Sequence, residues 1–186
     1  MTTLFILFSI LGTLLFGAMS PGPSFVLVSR IALANTRRNG LAAALGMGAG
    51  GLLFSLLALF GLIALLQHVG WLYLTLKVAG GLYLLYLAYK IWRGAKTPLS
   101  TGDESTDRSQ SLLKSFWLGF ATQVANPKTA VVYASIFAVF LPANPPLSLL
   151  LLLPPAVFLL EAGWYAFVAI VFSAKRPKAI YLNYKK

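Results

Sequence analysis

Three ionisable side chains, Lys77, Lys128 and Glu161, lie inside long stretches that otherwise carry no charge. Each costs about 3 kcal/mol or more at the centre of a bilayer, so it belongs against protein or water and marks a place for polar chemistry. A carboxylate at that depth changes its charge state when a cation approaches or leaves, which suits Glu161 to carrying a proton. Lys128 and Glu161 fall about 13 and 14 residues into the runs that begin at Ser115 and Leu147, a matching depth that permits an ion pair. A bridge of purely structural purpose would explain that pair as well. Lys77 sits roughly 9 Å from the end of its stretch, within reach of the interface for a lysine stem.

Prolines beside polar residues are the second chemical signal. In Ser20-Pro21-Gly22-Pro23-Ser24 the two prolines leave the carbonyls of Gly17 and Met19 without helical donors, so the helix must kink or break. In Asn126-Pro127-Lys128-Thr129, Pro127 likewise frees the carbonyl of Gln123, and Asn before Pro is a good helix start. A broken membrane helix offers carbonyls to a cation on one side of the gap. On the other side it offers N–H groups and the positive end of a dipole to an anion.

The elements that position these residues are helices in a membrane. The 186 residues are 59% hydrophobic and 10% charged, against about half and a quarter in soluble domains, which excludes a water-soluble domain. With no cysteine and one histidine, the chain has no dithiol pair and no thiolate or multi-histidine metal site, and no cofactor or metal is expected. About 20 apolar residues cross a bilayer core. Five spans are predicted on that basis, at Leu4–Val28, Leu41–Leu66, Trp71–Ile91, Ser115–Leu141 and Leu147–Phe172. The charge-free run Asn39–Leu76 would be roughly 57 Å long as a helix, so it must turn near Gln67-His68-Val69-Gly70. Met1-Thr2-Thr3 lacks the basic start of a signal peptide, so span one is expected to be retained.

Apart from Lys77 and Lys128, every cation lies in one of three places: the loop at Arg30, Arg37 and Arg38, the central segment with its flanks from Lys90 to Lys114, and the tail from Lys175. Short basic loops stay in the cytoplasm, which puts the amino terminus outside and the tail inside. The net charge of +11 is explained by this placement, so no nucleic-acid partner is expected.

The central polar loop, 94–114, divides the chain into a first repeat, 1–93, and an incomplete second, 115–186. Three spans separate spans one and four, so the halves enter from opposite sides, and PGPSFVLV aligns with NPKTAVVY across the two breaks. An inverted repeat with matching interrupted helices is a transporter pattern, with its site where the interruptions meet. Two positive helix ends would take a carboxylate. The freed carbonyls of Gly17, Met19 and Gln123, or Glu161 itself, would take an ammonium, and an amino acid has both groups.

In span two, Gly40, Ala44 and Gly48 share a face and Gly46 and Gly50 have GxxxG spacing, so this helix packs closely on a neighbour or on a second copy in a homodimer. The one set for a serine hydrolase, Ser24 with His68, falls at opposite sides of the membrane, so no enzyme is expected. A non-transporting helical subunit is the remaining alternative.

With these motifs the chain resembles the LysE/RhtB family of bacterial amino-acid exporters. The similarity runs through SPGPS, the basic turn RRNG, KVAGGLYLLYLAYKIW and GFATQVANPKTAVVY, covering essentially the whole chain. It implies an exporter driven by the proton gradient in the bacterial inner membrane, with the amino terminus periplasmic. The implied substrate-binding residues are Pro21, Gly22, Pro23, Asn126, Pro127 and Lys128. Gln123 and Lys77 are expected in support, and Glu161 remains the candidate for the proton. Members of that family look like six-helix proteins, so this chain is expected to lack the sixth helix, with an inactive truncated exporter as the alternative.

Overall fold

The computed structural model describes residues 2–68, 110–174 and part of 75–89. Its elements are α1 (Thr3–Met19), α2 (Pro23–Ala34), α3 (Arg37–His68), α4 (Leu112–Ala125), α5 (Pro127–Phe140) and α6 (Leu147–Phe172). Among the described residues there is no strand. Lys77, most of span three, the central loop to 109 and the tail from 175 lie outside them, as does the His68 side chain. Helices α3 and α6 are each long and apolar enough to cross a membrane, α1 and α2 are together apolar enough to do so but are bent by 62° at the break between them, and α5 is a shorter apolar helix. The chain is an all-α polytopic membrane protein.

Both proline breaks are present. Helix α1 stops at Met19, where the Ser20 N–H still reaches the Phe16 carbonyl at 3.3 Å. Extended Gly22 then precedes Pro23, the first residue of α2, where a missing N–H costs nothing. Helix α4 ends at Ala125 and α5 begins at Pro127, with Asn126 extended between them (φ −80°, ψ 108°).

The chain forms two compact units, each drawing on both halves of the sequence. The first comprises Met1–Ser20, Leu52–Pro98 and Pro127–Val157, and the second Pro21–Gly51, Leu99–Asn126 and Phe158–Lys186. In the first, α1 packs on α5, with Gly17 against Val132. Leu7, Ile10 and Leu14, at helical spacing, are buried, while Phe8 and Phe16 are exposed where lipid would lie. Tyr133 packs between Phe54 and Phe137, at ring-centroid distances of 5.6 and 6.1 Å.

The second unit is built on glycine. A Cβ on Gly46 would run into the Phe116 carbonyl and one on Gly119 into the Ala43 carbonyl, so α3 and α4 touch backbone to backbone. At Gly50 a Cβ would lie 2.7 Å from Gln123 Cβ. The other small face of α3 meets α6, with the Cβ positions of Gly48 and Gly40 at 2.8 and 2.9 Å from Ala162 and Ala169 Cβ. Both faces anticipated for a neighbour or a second copy are therefore covered within the chain. Asn39 Nδ2 donates to the Gln110 carbonyl (2.7 Å) and to Ser115 Oγ (2.9 Å), tying the start of α3 to that of α4.

Gly46→Ala is expected to destabilise the protein by about 1–3 kcal/mol, because its methyl group meets backbone that cannot swing aside. Gly61→Ala, where nothing lies within 4 Å, is expected to be neutral or stabilising by about 0.5–1 kcal/mol. Thermal unfolding of the two variants in detergent checks the contrast.

Candidate functional site

In the second unit, three polar side chains from the two breaks meet. Ser24, in the first turn of α2, donates from Oγ to Gln123 Oε1 at 2.9 Å, and Asn126 Nδ2 donates to Ser24 Oγ at 3.2 Å. The local sequence dictates this. Pro23 starts α2 and so brings Ser24 onto its first turn, while Asn126 ends α4 three residues, nearly one turn, after Gln123. All three are buried, Gln123 to 1% exposure. Burying amides and a hydroxyl without partners costs about 1–3 kcal/mol per group, and a hydroxyl that accepts from one amide and donates to another removes much of that cost. Tyr165 of α6 lies beside the same serine, with Glu161 one turn earlier on α6 as its charged neighbour. Glu161 is 3% exposed. The unit thus gathers Ser24, Gln123, Asn126, Glu161 and Tyr165 in an apolar surround.

The first unit holds a different arrangement. Lys128, in the first turn of α5, extends its ammonium to the carbonyl end of α1, with Nζ donating to Gly17 O at 3.3 Å and Ser20 O at 3.1 Å. Gly17 is where Pro21 removes the helical donor. The negative end of the α1 dipole adds to the attraction.

The residues anticipated from sequence fall as follows. Pro21, Gly22 and Pro23 form the first break, with both prolines exposed, and Asn126 and Pro127 form the second. Asn126 and Gln123 join Ser24, and Lys128 joins the α1 carbonyls. Lys77 lies outside the described residues. One expectation is corrected: the Gln123 carbonyl accepts the Asn126 N–H at 3.3 Å, so the break at Pro127 does not leave it without a donor. Sequence reasoning missed Ser24 as a hub, the Ser20 carbonyl and Tyr165. A signal for Tyr165 existed, since four residues after Glu161 is the same helical face.

The LysE type translocator family matches the chain over residues 15–186. The threonine efflux protein of Escherichia coli (strain K12) is 29% identical over 170 residues, covering 90% of this chain and 82% of its own. An uncharacterised membrane protein of Haemophilus influenzae is 30% identical over 175 residues, covering 92% and 83%. The uncharacterised membrane protein YahN of Escherichia coli is 30% identical over 163 residues, covering 87% and 72%. No solved structure matches. With proline breaks in α1–α2 and α4–α5 carrying buried polar side chains, and a match over nearly its whole length, this chain belongs to the LysE type translocator family.

Proposed function

We propose that the protein exports an amino acid or close analogue across the bacterial inner membrane in exchange for protons, by alternating access about its two broken helices. The observation that carries this reading is the Ser24–Gln123–Asn126 group, which puts hydrogen-bonding side chains from both breaks in one buried place. Polar side chains gathered at the interruptions of membrane helices mark by default the place where a polar solute binds. The name of the Escherichia coli relative, a threonine efflux protein, supports the same class of solute.

In this reading Pro21, Gly22 and Pro23 leave the first N–H groups of α2 open to an anion, and Asn126 and Pro127 do the same for those of α5. Lys128 contributes a positive charge at the carbonyl end of α1. Gln123 holds Ser24 in place. Glu161 carries the proton, its charge state changing with the cations near it. The amino terminus is periplasmic and the basic tail cytoplasmic.

In cells loaded with threonine-containing dipeptides, Glu161→Gln is expected to lower threonine efflux about 10-fold or more and to abolish its response to external pH. Efflux that still follows external pH as in the native protein would refute the proton role. Ser24→Ala takes one partner each from Gln123 and Asn126 and is expected to cost about 1–3 kcal/mol, read as a lower Tm, along with weaker substrate binding. An unchanged Tm and Kd would remove Ser24 from the site.

A further inference from the structure

The ammonium of Lys128 sits where a substrate's ammonium would be expected. The carbonyl end of α1 offers Gly17 O and Ser20 O, the first freed by Pro21, at the negative pole of a helix dipole. Carbonyls in that position select a compact cation with several N–H donors, and a primary ammonium presents three. The lysine side chain and the α-ammonium of an amino acid are the same group chemically. Lys128 is only partly buried and reaches these carbonyls from another helix on a flexible four-carbon stem.

We infer that Lys128 is a tethered occupant of the ammonium subsite: an incoming amino acid gives its own ammonium to Gly17 O and Ser20 O and its carboxylate to the displaced Lys128 Nζ. No covalent bond is made or broken and no proton moves; the two hydrogen bonds of Lys128 pass to the substrate ammonium and a charge-assisted contact to the substrate carboxylate is added. The exchange deepens the export reading and rests on it. It also sets the substrate class. A ligand with an ammonium but no carboxylate must evict Lys128 from both carbonyls while offering its ammonium no carboxylate in exchange, and a carboxylate alone leaves the α1 carbonyls to the lysine. A zwitterion with both groups on one carbon satisfies both sites together, and the empty protein keeps its α1 carbonyls satisfied.

The test uses the full chain in lipid nanodiscs, with labelled threonine as ligand and isopropylamine as the competitor that has no carboxylate. Native protein is expected to bind threonine at least about 100-fold more tightly than the amine. In Lys128→Met the α1 carbonyls have no occupant and the carboxylate no partner, so threonine weakens, the amine tightens, and the ratio of the two affinities falls at least about 10-fold. Lys128→Gln, whose amide keeps N–H donors for the carbonyls, is expected to lower the ratio through the threonine arm alone and serves if the methionine variant does not fold. A ratio unchanged in the variant that folds would overturn the exchange while leaving the export reading intact. Native protein that binds no amino acid from a broad panel would overturn both.

Discussion

Lipid supplies no hydrogen bonds, so every carbonyl and N–H left open by a helix break inside the membrane must be answered by the protein or by its cargo. The rest of this structure depends on how that constraint is met. Two prolines open the end of α1, and the ammonium of Lys128 answers Gly17 and Ser20. Pro127 opens the end of α4, and Asn126 answers with its backbone N–H while its side chain turns to Ser24. The end of α1 is tended by a residue that lies just beyond the other break, and the end of α4 by its own cap. Neither end leaves bare backbone to hydrocarbon at Gly17, Ser20 or Gln123.

The surrounding packing is of another kind. In the second unit the helices meet at glycine and alanine, so dispersion and backbone proximity hold α3 against α4 and α6 without large side chains. A core of Val28, Ile31, Ala43, Met47, Tyr165 and Val168 fills the remaining space. Polar atoms are few and concentrated: Asn39 and Ser115 fasten the helix starts, and Ser24, Gln123 and Asn126 stand at the breaks. The division is functional in physical terms. Rigid apolar contact fixes distances, and adaptable hydrogen bonds carry whatever changes.

Much of this was legible in the sequence because the signals are local. Helix α6 has the bounds anticipated for span five, since a proline-rich turn precedes it and a polar tail follows. Both breaks fall where Pro21 and Pro127 remove helical donors, a consequence of ring chemistry that needs no tertiary knowledge. The glycine faces of α3 were readable from spacing, although which helix each would meet was not. What escaped was pairing across long separations. Nothing near Ser24 reveals that Gln123 and Asn126, about a hundred positions away, will bond to it. The Gln123 carbonyl was misjudged because a local rule counts the donor that proline removes and overlooks the shorter i→i−3 bond available to the residue before it.

Gly50 gives the packing a reach beyond cohesion. Its missing side chain lets the stem of Gln123 lie almost on the α3 backbone, and that seat fixes where the amide oxygen stands for Ser24. The gauge that sets the polar cluster is therefore a residue with no side chain. The position of the polar cluster is calibrated by an absence of atoms, and a substitution on the glycine ridge is as able to displace it as one among the polar groups themselves.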